Sequence, residues 1–404
     1  MKQNNLLNTI TIVSMGLIIA VTTLLAIPVT IQAKTLKIGV LESLTGWFSV
    51  HDVIDANEVK IVAEMINESG GIIVKGKRHT IELVIEDAKS TLDGVNGAAT
   101  KLAYDHRVRF VIGPNAFFSA AASPVFEPNR ILHISGYATN TPGEVDASTP
   151  FGFLGYNGSV GNAYAGIMFL KKNYPDVKKV VFLHPDDGAI SYLEPIIKSA
   201  LEANGISVVG DTIKYPNTLV DFSPIVTKIN ARKEADAIFH LNGFAQTIGP
   251  IVKGLRERDN YKLYAAPVPT HLEEIITIAG KKATTNVFTC GIDPNNSNNT
   301  PLMEQVIQRI EAKHGKTVSI LLQGANSLWI LKEVIEAAQS TDPGVVKSKW
   351  ESMDKVETLF GMGSISGDKT YGISHHVVSH PIPFQTAKDG KISNVELINP
   401  GIIP

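Results

Sequence analysis

"VRFVIGPNAFFSAAASPVFEPNRILHIS", residues 108–135, reads as strand, turn, helix and strand in succession. "VRFVIG" is a short β-rich run that Gly113-Pro114 ends. The Ala/Ser-rich stretch beginning near Phe118 is a helix, and "ILHIS" is a second strand. Two neighbouring strands joined through a helix run parallel, with the helix covering one face of their sheet. The helix start exposes backbone N–H groups and the positive end of a dipole, which suits an anion. Phe117 and Phe118 stand beside it, where a turn is usually polar, and would provide an apolar wall.

The same alternation extends in both directions. Upstream, "TLKIGVL" is a strand. "DANEVKIVAEMIN" carries Val59, Val62, Ala63 and Ile66 at helical spacing, "HTIELVIED" is a strand and "LDGVNGAATKLAYD" a helix. Downstream, "STPFGFLGYNGS" has no helical period and reads as a crossing segment. A second series then starts: strand "KKVVFLHP", helix "SYLEPIIKSALEANG", strand "ISVVGDTI", helix "FSPIVTKINAR", strand "ADAIFHL", helix "AQTIGPIVKGLRERD" and strand "KLYAAP". From about Thr285 come strand "NVFTCGID", two helices, and strand patterns in "SHHVVSHPIPFQTA". The expected fold is α/β, with two doubly wound parallel-sheet lobes joined by crossing hinge strands. The expected boundaries are 34–154 plus 284–360 for lobe one, and 155–283 plus 361–404 for lobe two.

Composition narrows the class. The chain has 404 residues, is 44% hydrophobic, and has a formal charge of -2. No basic excess points to nucleic acid or to an anionic membrane. Lys2 is the only charge before Lys34, and the long uncharged run between them ends at Pro28 and the small residue Ala33. Residues 1–33 therefore read as a secretory signal peptide, which implies a periplasmic location, or a membrane anchor if the segment is left uncleaved. Cys290 is the single cysteine, so the fold rests on its core without an internal disulfide.

Ligands of open parallel sheets bind beyond the carboxyl ends of the strands. With two such sheets, the natural site is the cleft between them. The segments expected at its lip are "ESLTGWFSVHD", "GPNAFFS" and "SGYATN" in lobe one, and "HPDDGAIS", "NGFAQ" and "APVPTH" in lobe two.

These same segments resemble the branched-chain amino acid type of solute-binding protein that serves ATP-driven importers. "LKIGVLESLTG" is similar to that family's opening strand and turn, and "INESGGI" to the end of its first helix. "IGP" with its small-residue helix and "ISGYATN" are similar to its two carboxylate-holding segments. "VDFSPIVTKI", "DAIFHLNGF", "TPLMEQVIQRIEAKHGK" and "GMGSISGDKTYG" extend the likeness over nearly all of residues 34–400. The resemblance implies the type I periplasmic binding protein fold and hinge closure on a small ligand. It also implies a membrane permease as partner, a monomeric state and no cofactor.

The family's site carries over with departures. Thr139 and the amides of Tyr137 and Ala138 keep one carboxylate segment. The usual serine falls near Ala116 and Phe117, with no hydroxyl until Ser119. His51 stands where leucine binders have an aromatic ring, and Asp52 where a Gly is expected. Ala189 replaces a tyrosine, with Tyr192 one turn on, and Phe244 replaces another. The family's acidic residue that pairs with an amino acid's ammonium group would fall near Val268, which carries no charge. A buried ammonium without an acceptor is costly. Asp52, Asp186 and Asp187 read as solvated turn residues. Trp47, Phe48, Phe117, Phe118, Tyr137 and Phe244 make the cleft aromatic. The expectation is a small carboxylate or amide with an apolar or aromatic body. A branched-chain amino acid is the alternative, and a membrane-tethered ligand-sensing receptor is the alternative of another class.

Other chemistry finds little support. No G-x-S-x-G, H-E-x-x-H or G-x-x-x-x-G-K-[ST] occurs, so no enzyme is expected. His375, His376 and His380 read as packing or surface residues and not as metal ligands. "NNSNNT" reads as a solvated loop.

Overall fold

The computed structural model describes residues 34–401, apart from 116–117, 138–143, 187, 317–318 and 369. Two sheets organise these residues. Along the first, the strands run Lys355–Thr358, Gly361–Ser366, Val377–Ser379, Gly152–Leu154, Leu132–Ser135, Phe110–Ile112, Lys34–Glu42, Lys77–Asp87 and Ile72–Val74. The second contains Lys391–Ile398, Ile382–Lys388, Val287–Cys290, Leu263–Pro269, Ala237–His240 and Lys179–Pro185. The last of these is flanked by the short strands Ser207–Val208 and Ile213–Tyr215. The central pairs are parallel in both sheets, and antiparallel strands close both margins of the first sheet and one margin of the second.

Period-2 alternation explains why both faces of each sheet are covered. In the first sheet Ile38 and Val40 face one apolar cluster, and Leu41 and Val111 face the other. In the second, Val180, Phe182 and Phe239 face one side, and Val181, Leu183 and Ile238 the opposite side. Helices fill these four layers. Among them, Ser49–Glu68 lies on the first sheet with Val59, Val62 and Ile66 buried, and Gln323–Ala338 packs beside it. This is the two-lobed, doubly wound α/β architecture expected from the alternation, and it agrees with the type I periplasmic binding protein fold that the resemblance implies.

The crossings fall later than the expected boundaries at 284 and 361. Val287–Cys290 pairs with Leu263–Pro269 and Ile382–Lys388, so it belongs to the second sheet. Gly361–Ser366 and Val377–Ser379 pair within the first. A short apolar run such as "VFTC" suits a buried strand in either sheet, and only long-range pairing chooses between them. The chain therefore passes between the lobes after Leu154, after Cys290 and between Ser379 and Ile382. Asn157 ties the first and third crossings together. Its Oδ1 accepts from the His380 N–H at 2.9 Å, and its Nδ2 donates to the His380 carbonyl at 3.1 Å. The second crossing joins them where the Gly291 N–H donates to the Pro383 carbonyl at 3.1 Å.

The three histidines take packing positions at this seam. His376 stacks on Phe153 at 4.1 Å between centroids, with Nδ1 against the Gly152 carbonyl. His380 stacks on Phe360 at 4.2 Å. Burial holds the His380 imidazole down at about 4, so it is neutral at ordinary pH. His375 is half-buried, bonded to Ser374.

Candidate functional site

The carboxyl ends of Lys34–Glu42, Phe110–Ile112 and Leu132–Ser135 lie side by side in the first sheet. At the middle strand, Gly113 adopts φ +88°, and a Cβ there would sit 2.3 Å from the Leu41 carbonyl. Only glycine lets the turn press this closely on its neighbour. The Pro114 carbonyl lies within hydrogen-bond distance of the hydroxyls of Ser119 (3.0 Å) and Ser135 (2.8 Å), themselves 2.8 Å apart, so at least one hydroxyl donates to the carbonyl and the other donates to it or to its neighbour. Ser119, the first hydroxyl after the Gly-Pro turn, is thus used in holding that turn.

Asn115 is the centre of this floor. Its Oδ1 accepts the backbone N–H groups of Gly136 and Tyr137, both at 3.1 Å, which fixes which end of the amide is the donor. Its Nδ2 therefore faces three carboxylates: Glu42 at 3.0 Å, and Asp52 and Asp55 at 3.2 Å each. All four residues are buried. One NH2 cannot satisfy three ionised carboxylates. Burial first, then repulsion from Asp52 and Asp55, holds the Glu42 carboxyl well above the usual carboxylate range. Burial also lifts Asp55, against the pull of His51 and the Gly324 N–H that it accepts at 2.7 Å. One turn on, Glu58 accepts the N–H groups of Leu321 and Leu322, and burial and Asp55 raise it well above its ordinary range.

Asp52 is therefore not the solvated turn residue expected. The helix starts at Ser49, three residues before Asp52, and turns that side chain inward to accept the Ser43 N–H at 2.7 Å. A signal for this existed. Asp52 and Asp55 share a helical face with Val59 and Val62, where carboxylates are out of place unless paired. Asn115 had no comparable signal.

Above this floor lies a ring cluster. Phe48 stacks on His51 at 5.0 Å, Trp47 and Phe118 lie 6.3 Å apart, and Phe48 and Phe118 6.0 Å. His51 lies 5.9 Å from Tyr137. Phe118 is 4% exposed and belongs to the core behind the cleft, whereas Trp47 is 64% exposed.

On the second lobe, Ala237–His240 ends in a buried chain. Tyr215 Oη lies 2.6 Å from His240 Nε2, and Tyr264 Oη 2.7 Å from His240 Nδ1. Burial, reinforced by His184, holds His240 down at about 3. The neutral ring then accepts from one tyrosine and donates to the other. Gly243 lies against it, and a Cβ there would meet the ring at 2.4 Å. Just beyond, Asn242 reaches across to lobe one. Its Nδ2 donates to Tyr137 Oη at 3.3 Å, and its Oδ1 accepts from Ser159 Oγ at 3.0 Å.

The remaining expected residues are dispersed. Phe244 precedes the helix Ala245–Arg256 and is 45% exposed. Tyr192 is on the helix Gly188–Ala203, 46% exposed. Ala189 is in the first turn of that helix. Val268 is buried in the second lobe's core among residues such as Ala266 and Leu272. Asp186 is exposed. Ala116, Phe117, Ala138, Thr139 and Asp187 lie outside the described residues. Among the described residues no group of three or more His, Cys, Asp or Glu is arranged to hold a metal ion, and no helix is long and apolar enough to cross a membrane.

Known proteins share this fold. Over 366 residues the chain is 26% identical to Leu/Ile/Val-binding protein homolog 3 of Brucella melitensis, covering 89% of this chain and 94% of that one. A branched-chain amino acid transporter substrate-binding protein from Streptococcus pneumoniae, solved with isoleucine, superposes with a TM-score of 0.69 at 21% identity. The match covers 91% of this chain and all of that one. A solute-binding protein from R. palustris, solved with 4-hydroxybenzoate, superposes with a TM-score of 0.67 at 18% identity, over 92% of this chain and 98% of that one. Residues 35–391 match the model of one family, and the chain belongs to it: the periplasmic binding proteins.

Proposed function

We propose that the chain captures a small carboxylate or amide with an apolar or aromatic body between its lobes, and delivers it to the membrane permease of an ATP-driven importer. The observation that carries this reading is the ring cluster of Trp47, Phe48, His51 and Tyr137, backed by the buried Phe118, beside the Asn115 floor. Aromatic walls with a few placed polar groups suit a planar organic acid. Val268, where an amino acid's ammonium partner is expected, is apolar and turned into the core. The 4-hydroxybenzoate complex of a structural relative supports the same class. In this reading Thr139 and the amides of Tyr137 and Ala138 hold the carboxylate, with Ala116 and Phe117 alongside. Phe244 and the loop before Tyr192 close from the other lobe.

Closure follows from differential binding. Ligand shifts the open–closed equilibrium only as far as it binds the closed form better. The contacts among Tyr137, Ser159 and Asn242 are those that closure would strengthen.

The isoleucine complex of another relative favours a second reading, a branched-chain amino acid. A thermal-shift screen of benzoate, 4-hydroxybenzoate, 3-phenylpropanoate, benzamide, leucine and isoleucine separates the two. Aromatic acids are expected to raise the melting temperature. A rise with leucine or isoleucine and none with the aromatic compounds would establish the second reading instead.

A further inference from the structure

We propose that Asn242 is a positioning residue for closure: together with Ser159 it catches the Tyr137 hydroxyl across the cleft, so that the lobes close part of the time without ligand. The inference goes beyond the reading above and holds for whichever small molecule the cleft takes. Tyr137 follows the strand Leu132–Ser135 in lobe one. Asn242 follows Ala237–His240 and Ser159 opens the helix Gly158–Asn173, both in lobe two. Ser159 Oγ donates to Asn242 Oδ1 at 3.0 Å, which leaves the amide Nδ2 to donate to Tyr137 Oη at 3.3 Å. Tyr137 Oη lies 3.5 Å from Ser159 Oγ, and donation there completes a ring in which each donor has an acceptor. All three residues are buried. Bonds shielded from water in this way reinforce one another.

Both ends of this latch are braced. The Tyr137 N–H is held by Asn115 Oδ1, so the floor of lobe one fixes where the tyrosine stands. Asn242 has φ +56°, a left-handed conformation that asparagine tolerates better than most residues. Gly243, the next residue, presses on the His240 ring, and that ring is held between Tyr215 and Tyr264. The turn that presents Asn242 is thus set by the floor of lobe two, and Ser159 orients the amide before it meets Tyr137. Little side-chain freedom is left to lose when the lobes meet, so the contact costs little entropy to make.

The atoms of the latch all belong to the protein, so it favours the closed form before any ligand arrives. A ligand that binds the closed form then has less of the conformational equilibrium to shift, and its apparent affinity rises with the closed fraction. Asn242 therefore tunes how tightly the cleft holds its ligand without choosing which ligand it holds.

Double electron–electron resonance on the full chain tests this, with nitroxide labels at Leu92→Cys and Val220→Cys. Both positions are exposed and lie beyond the carboxyl ends of strands, one on each lobe, and the buried Cys290 should stay unlabelled. The chain is unfolded and refolded to strip any carried ligand, then measured alone with the native latch, with Asn242→Gly, with Tyr137→Phe and with both. Glycine suits the left-handed backbone and phenylalanine keeps the ring, so the variants should fold, and melting temperatures check that. The native latch should give a short and a long distance, or the short one alone. The closed-to-open ratio should fall roughly 3–10-fold in either single variant, and no further in the double variant, because both remove the same contact. A native latch that shows only the long distance overturns the proposal. An unchanged ratio in a folded Asn242→Gly overturns it as well, as does a double variant whose loss is the product of the two single losses. Should Asn242→Gly fail to fold, the ratio in Tyr137→Phe decides in the same way. None of these outcomes bears on the class of ligand, which the thermal-shift screen decides separately.

Discussion

The floors of the two lobes occupy equivalent places, at the carboxyl ends of parallel strands, and solve the same problem differently. Lobe one buries Glu42, Asp52 and Asp55 around one donor amide, Asn115. Lobe two buries Tyr215, His240 and Tyr264 in a chain where donors and acceptors balance. The first floor is short of protons and keeps one on Glu42. The second has no room for an extra proton, which is why His240 is held down at about 3. Two lobes of one architecture therefore respond to pH with opposite sign. Glu42 is raised in the folded state. Its contribution is complete below the unfolded carboxylate pKa of about 4.3 and is lost as pH rises beyond it. His240 is depressed in the folded state. Its contribution is complete above the unfolded imidazole pKa of about 6.5 and is lost as pH falls towards about 3.

Three substitutions would break or sharpen this contrast. The largest effect belongs to Asn115→Leu, which strips three carboxylates of a donor and two backbone N–H groups of their acceptor. A loss of about 3–5 kcal/mol in urea unfolding is expected, and a loss under about 1 kcal/mol would remove Asn115 from the centre of the floor. His240→Phe keeps the ring's bulk and leaves two buried hydroxyls without their partner. A loss of about 2–4 kcal/mol near neutral pH is expected. The gap between wild type and variant should narrow as pH falls below about 6.5, because only the wild type has a buried imidazole to charge. A gap constant down to about pH 4 would refute the sign assigned to lobe two. Glu42→Gln is the mildest. At about pH 4.5 it should alter stability by less than about 1 kcal/mol, because the wild-type carboxyl already carries a proton. Above that the wild type should weaken relative to the variant, as unfolding midpoints across the pH range would show. Parallel curves would mean that the proton shortage lies elsewhere in the cluster.

Much of the fold was legible in the sequence for a local reason. The series from "TLKIGVL" to "ILHIS" alternates period-2 and period-3.6 patterns, and each pattern is decided by neighbours a few residues apart. Val287–Cys290 joins the second sheet and not the first, which its residues alone leave open because a strand of four mostly apolar residues suits any buried position. The floors were harder still. Asp52 reads as a turn residue until the helix is seen to begin at Ser49. Asn115 gains its role only from residues 21 to 73 positions away. His240 reads as one more residue of an apolar strand, with partners about 25 positions distant on either side.

By itself the sequence determined the alternation of strands and helices, hence the parallel sheets, the two lobes and the strand ends where polar and aromatic residues gather. Tertiary structure alone decided which sheet each short strand joined, and which buried polar groups had to share a proton. Period and turn chemistry act over a few residues. Strand pairing and the sharing of one amide among three carboxylates depend on chain segments that only folding brings together.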